Sequence, residues 1–405
     1  MKGRATRSMH RAAAALVVVV AGCTRDAYPP AAWEGRVDTL PSGTIVVSNP
    51  TRGLWDSAAA WHAVEDLRIG SAEGDDAAAF GAVGAIAAGA DGQIYVLDRQ
   101  AQDVRVFDVN GTPIRTVGRK GGGPGEFQGA DAVWVDDSTR VWVSDRRARR
   151  FSAFDSTGDL LGDYPRERPG FSPSFVGGGA NGDLWDAWPA SGPGGSGQRM
   201  ELLRFAAGAY RDTVTLPEFS PPQWQVVRRQ GTSTMIFNLP VPFSATQLLA
   251  VDPRGAVWRA VSMEYRLTLF TAAGDSARVI LREHRPFPVT ARDRERATAR
   301  YRRDFADAGA RLDEGLIPPV KPAMRVLLVD NLGFVWVAPF AADDSAAIAF
   351  DVFDPEGRYL GAVPTPVTPQ RLRPLPVVRG NALYYVTTDE LDVPYVVRAR
   401  IVGRD

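Results

Sequence analysis

The stretch most suggestive of chemistry is GRKGGGPGEF, with five glycines between Gly118 and Gly125 beside Arg119 and Lys120. Glycines next to basic residues could cradle a phosphate through backbone N–H groups, provided a strand precedes the loop and a helix comes after it. Phe127 leads instead into ADAVWVDD, shortly after it, which alternates like a strand. A second stretch, residues 70–81 (GSAEGDDAAAFG), begins and ends alike but is acidic and lacks the glycine core. Two copies of one loop, one of them acidic, cannot both hold phosphate. Both read as connectors between repeated units, with Phe80 and Phe127 filling the groove between neighbours.

Other catalytic sets are scarce. The three histidines are His10, His62 and His284, and a zinc site on several histidines needs three or four suitable ligands. There is no G-x-S-x-G elbow, and no Ser-His-Asp or Cys-His set assembles. A calcium site would need several carboxylates or amides. The residues entering the innermost strands are Ala85, Asp131, Phe175, Gln247 and Arg325, of which only Asp131 is a carboxylate. No metal-binding or catalytic residues are assigned and no cofactor is expected, calcium being the one ion left open.

The elements that must position these residues repeat along the chain. QIYVLD–RVFDVNG and RVWVSD–SAFDSTG lie 47 residues apart, measured from Tyr95 to Trp142. Fainter copies lie around Trp185, Trp258, Trp336 and Tyr384, making six. Alternation within each copy predicts half-buried strands, and Asn110-Gly111 and Thr157-Gly158 supply the positive φ of tight hairpins. Four antiparallel strands at such a period describe a propeller blade, which needs neighbours to cover both its faces. The fold class is therefore all-β: a six-bladed β-propeller of four-stranded blades with one inserted helix. The last copy lacks a fourth strand, so the N-terminal strand HAVEDLRIG completes it and closes the ring. Residues 38–50 read as a further hairpin or strand at that seam.

Strand order puts the long loops on one face, together with the blade-to-blade connectors, and the glycine turns on the other. The expected ligand-binding residues on the long-loop face are Asp98, Arg99, Asp145, Arg146, Trp188, Trp224, Arg228 and Arg229. Asp131, Gln247 and Arg325 are expected at the channel. Arginine beside tryptophan suits carboxylates, peptides or sugar rings. Asp98 and Asp145 are also placed to cap their own loops. The insertion at about 288–320 carries the helix, capped by Thr290, with Ala297, Tyr301 and Phe305 as its apolar stripe.

Composition narrows the partners. The chain of 405 residues is 45% hydrophobic and 23% charged with zero formal net charge. No basic excess points to nucleic acid and no acidic excess to disorder. Lys2, Arg4, Arg7 and Arg11 precede an apolar run, Ala12 to Val20, too short to span a bilayer comfortably, and then the sequence Val20-Ala21-Gly22-Cys23. This resembles a bacterial lipoprotein processing site. The resemblance implies a signal peptide at 1–22, lipidation of Cys23, a tether at 23–36 and the propeller at 37–405. It also implies a cell-envelope protein held to the outer membrane of a Gram-negative bacterium, touching the membrane through the lipid anchor only. A mature chain would carry 43 basic and 47 acidic residues.

GGGPGEF, DGQIYVLD, RVFDVNG, VWVSD and AFDSTG together resemble NHL-repeat-like six-bladed propellers, including bacterial lipoproteins of that type, chiefly over residues 84–165. The resemblance implies a binding or scaffold module for a peptide, a glycan or an envelope protein. The alternative is a calcium-dependent lactonase-like hydrolase or a lyase.

Overall fold

The computed structural model describes residues 33–55, 60–72, 77–166, 174–191, 198–230, 233–307, 311–343, 347–368 and 372–404. Its chain begins with β1 (Arg36–Thr39), β2 (Ile45–Asn49) and β3 (His62–Ile69). The first blade is β4 (Val83–Ala88), β5 (Ile94–Asp98), β6 (Asp103–Phe107) and β7 (Pro113–Val117). Two short strands, β8 (Arg119–Lys120) and β9 (Glu126–Phe127), lead to the second blade: β10 (Ala130–Val135), β11 (Val141–Asp145), β12 (Arg150–Phe154) and β13 (Leu160–Pro165). The third is β14 (Ser174–Gly178), β15 (Leu184–Ser191), β16 (Gln198–Ala206) and β17 (Ala209–Thr215).

A hairpin, β18 (Gln223–Gln230) and β19 (Ser233–Pro240), precedes the fourth blade: β20 (Gln247–Val251), β21 (Val257–Val261), β22 (Arg266–Phe270) and β23 (Ser276–Arg282). The helix α1 (Ala291–Asp307) separates it from the fifth: β24 (Met324–Val329), β25 (Val335–Pro339), β26 (Ala349–Phe353) and β27 (Tyr359–Pro364). The sixth is β28 (Val377–Arg379), β29 (Ala382–Thr388), β30 (Pro394–Val402) and the N-terminal β3.

The ring closes as the strand count requires. β3 runs antiparallel to β30 from His62 opposite Val402 to Ile69 opposite Val396. Arg404, just past β30, donates to the buried Asp330 carboxylate of the fifth blade at 2.6 Å. Its guanidinium also lies 4.9 Å from the Trp61 ring centroid and 4.8 Å from that of Phe334. One residue therefore ties the end of the chain to the N-terminal segment and to the adjoining blade.

Burial departs from the simple alternation in one respect. Ile94, Tyr95, Val96 and Leu97 of β5 are all fully buried, on both faces of the strand. The second strand of a blade is covered by both neighbouring blades, so its polar alternation disappears. Phe80 and Phe127 are buried as interblade wedges, edge-on to Phe107 at 5.9 Å and Phe154 at 6.0 Å.

The first hairpin corrects the sequence expectation. β1 and β2 do not lie at the seam; β2 pairs in parallel with β23 and extends the fourth blade to six strands. Asn49 holds it there, donating to the carbonyls of Leu281 and Gly357 and accepting from the Tyr359 amide. Val47 is buried beside Ile280 at the blade edge. β23 offered a seven-residue outer edge, and an uncovered edge takes any strand within reach.

The two insertions pack on each other. Trp224 and Val226 of β18 meet Tyr301 and Phe305 of α1 in a small core of their own, and the Trp224 indole donates to the Asp313 carbonyl at 2.8 Å. Thr290 and Asp293 cap α1 reciprocally. The buried Lys321 ammonium joins Asp293 to the Ala342 carbonyl of the fifth blade.

The Arg404–Asp330 pair generates a test. Arg404→Ala leaves a buried carboxylate without its cation, a loss of about 3 kcal/mol. Equilibrium denaturation should show the midpoint falling with the slope unchanged.

Candidate functional site

All six inner strands run the same way, so their first residues surround one mouth of a central channel and their last residues the other. The cavity along this axis has a volume of about 530 Å³. Its walls are apolar: Val83, Ala85 and Ala87 from the first blade, Ala132 and Trp134 from the second, Val176 from the third, Leu249 and Val251 from the fourth, Leu327 and Val329 from the fifth. Where the sixth blade should contribute a full strand, β28 has only three residues. Pro374 and Pro376 precede it and have no N–H to donate to a ladder, and Arg373–Pro376 lines the cavity instead.

The mouth on the glycine-turn face carries bonds between blades. The Asp137 amide donates to Ala180 and the Ala180 amide to Pro253. The Gly380 amide donates to the Asn331 side chain, and Arg379 reaches Asp137 at 2.7 Å, from the sixth blade to the second. The mouth at the other end, on the connector face, is termed the open mouth, and among the described residues no bond as wide as Arg379–Asp137 crosses it.

At the open mouth stand Arg99, Asp131, Phe175 and Arg373. The stem of Arg99 lies so close over Gly84 that a Cβ there would come within 2.1 Å of Arg99 Cγ. Asp131 accepts from the Ser144 hydroxyl at 2.6 Å, which accepts from Arg166 Nη1 at 2.7 Å. Arg166 is fully buried and forks onto Asp186 at 2.9 and 2.6 Å. The Tyr210 hydroxyl donates to the same carboxylate, and the Phe151 ring centroid lies 4.5 Å from the guanidinium. Desolvation raises the Asp131 pKa against the lowering effects of the Ser144 hydroxyl, Arg166 and Arg146, and Asp186 adds to the rise. Burial likewise pushes the Tyr210 phenol up, with Asp186 in support. Asp131 is thus a carboxylate set where its charge is poorly solvated.

The residues expected from sequence separate, and Gln247 and Arg325, expected at the channel, do not line the cavity. Arg99 and Asp131 line the cavity, and Arg146 is exposed nearby with its amide bonded to Gly129. Asp98 and Asp145 are buried and accept backbone N–H bonds, Asp98 from Gly81, Ala82, Gln100 and Ala101, Asp145 from Gln128 and Ala148. They join each loop to its connector. Gln247 is held by Arg259 and Met200, and Arg325 stacks 4.0 Å from the Phe340 ring centroid while donating to Pro339.

Trp188 is buried against Tyr210, and Trp224 belongs to the insertion core rather than to an open surface. Arg228 and Arg229 lie in β18, with side chains outside the described residues, as is Cys23. Sequence reasoning did not reach Arg166, Asp186, Arg373 or Arg379. The Pro-Leu-Pro before the last inner strand is the one local signal that pointed there.

The glycine loop is a connector. Glu126 accepts from the Gly123 amide at 2.8 Å and from Arg119, and the Gly125 amide donates to Asp163. The Gly123 amide foremost, and then Arg119, hold the Glu126 pKa down. Gly118 has a positive φ of 67°, and a Cβ on it would meet the Phe127 ring at 2.3 Å. Among the described residues no three of His, Cys, Asp and Glu converge as a metal set.

The family described as a 6-bladed beta-propeller matches residues 73–164. No curated protein matches the chain. Solved structures resemble it along most of their length. A member of the duf4221 family from Bacteroides vulgatus is 10% identical, with a TM-score of 0.48 over 85% of this chain and 98% of that one. A gluconolactonase from Xanthomonas campestris is 14% identical, with a TM-score of 0.41 over 84% and 98%. Virginiamycin B lyase from Staphylococcus aureus is 11% identical, with a TM-score of 0.41 over 84% and 100%. At these identities the chemistry of those proteins does not carry over.

The mouth carboxylate supplies a test by pH. Its pKa is raised on folding, so the folded state holds this proton more tightly than the unfolded chain does. Stability from this group is lost as pH rises from the unfolded value, about 3.9, through the folded one. Asp131→Asn retains an acceptor for Ser144 and removes the buried charge. The variant should melt higher than the parent at pH 7, with the gap closing as pH falls toward 4.

Proposed function

We propose that this protein is a binding or scaffold module of the cell envelope, of the NHL-repeat-like type and lipid-anchored through Cys23 to the outer membrane. Its propeller takes the end of a partner polypeptide into the open mouth of the channel. One observation carries this reading: apolar walls lie below a mouth where Arg99, Arg373 and Asp131 stand. Such a cup suits a ligand with an apolar body and a charged head. An arginine fork matches a carboxylate, and Asp131 suits an ammonium or hydroxyl group beside it. The carboxyl terminus of a peptide with an apolar last residue combines these features. A glycan offers no apolar body of that size. No helix among the described residues is long and apolar enough to cross a membrane.

One feature favours a second reading. A desolvated carboxylate with a raised pKa is also what a general acid or base requires. In a hydrolase or lyase of this architecture Asp131 would be that group, with any calcium held beside it.

Thermal shift separates the two. The full chain is melted with short peptides ending in an apolar residue, each with a free or an amidated carboxyl terminus, with and without calcium. Binding to the folded state alone raises the melting temperature by mass action. The free-acid peptides should stabilise the protein, the amides should not, and calcium should make no difference. Arg99→Ala should weaken the effect by about tenfold or more. Equal shifts with acid and amide, or a calcium-dependent response with consumption of the ligand, would overturn the reading.

A further inference from the structure

We propose that the β18–β19 hairpin rests in the surface of the bilayer that anchors the chain, turning the open mouth of the channel toward the membrane. This inference depends on the Cys23 anchor in the reading above, and adds a second membrane contact to it.

The hairpin is a two-stranded ribbon with no third strand among the described residues. α1 covers one face at its base, through Trp224 and Val226. Val227, Met235, Ile236 and Phe237 are nonetheless 41%, 44%, 60% and 42% exposed. Val227 lies opposite Ile236, while Phe237 lies opposite Val226 and Met235 opposite Arg228. Since side chains alternate along a strand, Val227 and Ile236 share one face, and Met235 and Phe237 share the other. The Met235 and Phe237 face is the one α1 covers at its base, through Trp224 and Val226, so a lipid interface has the Val227 and Ile236 face and the remainder of the other to cover.

Position supports the same partner. The hairpin rises from the connector after β17, and α1 from the connector after β23, both on the open-mouth face. The described chain starts at the outer edge of the fourth blade, next to the root of the helical insertion. The Trp33 indole donates to the Asn49 side chain, and the Glu283 amide, at the root of the helical insertion, donates to the Asn49 carbonyl. Ten residues lead from Cys23 to Trp33, a reach of at most about 35 Å. A lipid on Cys23 would therefore keep the bilayer within about that distance of Trp33.

Charge completes the case. Among the described side chains of α1, the exposed ones include arginines 292, 296, 300, 302 and 303 and the acids Glu295 and Asp307, Glu295 being paired with Arg302. An anionic lipid surface attracts such a helix over distances of about a Debye length.

The test places a reporter on the hairpin of the full, lipidated protein. With its thiol lipidated, Cys23 leaves no other cysteine, so Ile236→Cys can carry a single environment-sensitive fluorophore. Val109→Cys, 47% exposed on the opposite face, is the control. On vesicles of phosphatidylethanolamine and phosphatidylglycerol the label at 236 should shift to the blue and be quenched by brominated acyl chains, while the label at 109 does neither. The response should be weaker on phosphatidylcholine alone.

A protein whose Cys23 is lipidated by mass, and which floats with vesicles, but whose label at 236 emits as in water, would overturn the proposal. A chain with unmodified Cys23 that does not float would remove both the anchor and this contact. Peptide binding is read by melting without vesicles, so it stands or falls separately.

Discussion

The structure depends on a pairing between the two ends of the polypeptide. A four-stranded blade has two apolar faces and cannot cover both, so every blade needs two neighbours. In an open row of blades the end ones would each present a bare face. The ladder from His62 to Ile69 against β30 removes that defect by building one blade from both ends of the chain. Trp61, Phe334 and Arg404 then pack the join. The channel exists because the ring is closed, and its walls come from all its blades.

A second constraint recurs at smaller scale. Aspartates stand where chain direction changes, and their carboxylates take up the backbone N–H groups a tight turn leaves unpaired. Asp98 and Asp145 do this on the open-mouth face. Asp136 and Asp330 do it on the other, each also accepting from the indole of a tryptophan in the next strand. Their charge is spent on structure. Asp131 differs: it accepts one hydroxyl bond, lines the cavity and keeps a raised pKa. A poorly solvated carboxylate costs stability, and a scaffold tolerates that cost where the group meets something else.

Much of the architecture was legible because it rests on local rules. Period-two alternation, the Asn-Gly and Thr-Gly turns and the repeat near forty-seven residues all act between residues close in sequence. Ring closure was legible too, since the last copy visibly lacked a strand. The capping of α1 by Thr290 and its stripe of Tyr301 and Phe305 come from helix geometry alone. Burial was less legible. A tryptophan such as Trp224 reads equally well as a ligand platform or as core, and only the arrival of α1 made it core.

Sequence alone determined the strands of the repeated copies, their tight turns and that the last copy needs an N-terminal strand, because each is set by neighbours in the chain or by counting; the β18–β19 hairpin it left as a connector. Only tertiary structure decided which charged groups share a site. Arg166 and Asp186 meet across 20 positions, Arg379 and Asp137 across 242. It also decided that β2 sits on the fourth blade, since an open strand edge accepts whichever segment passes near it. The physical reason is the same in each case. Long-range electrostatic and edge contacts carry no periodic signature, and which of them form depends on where the closed ring brings each surface.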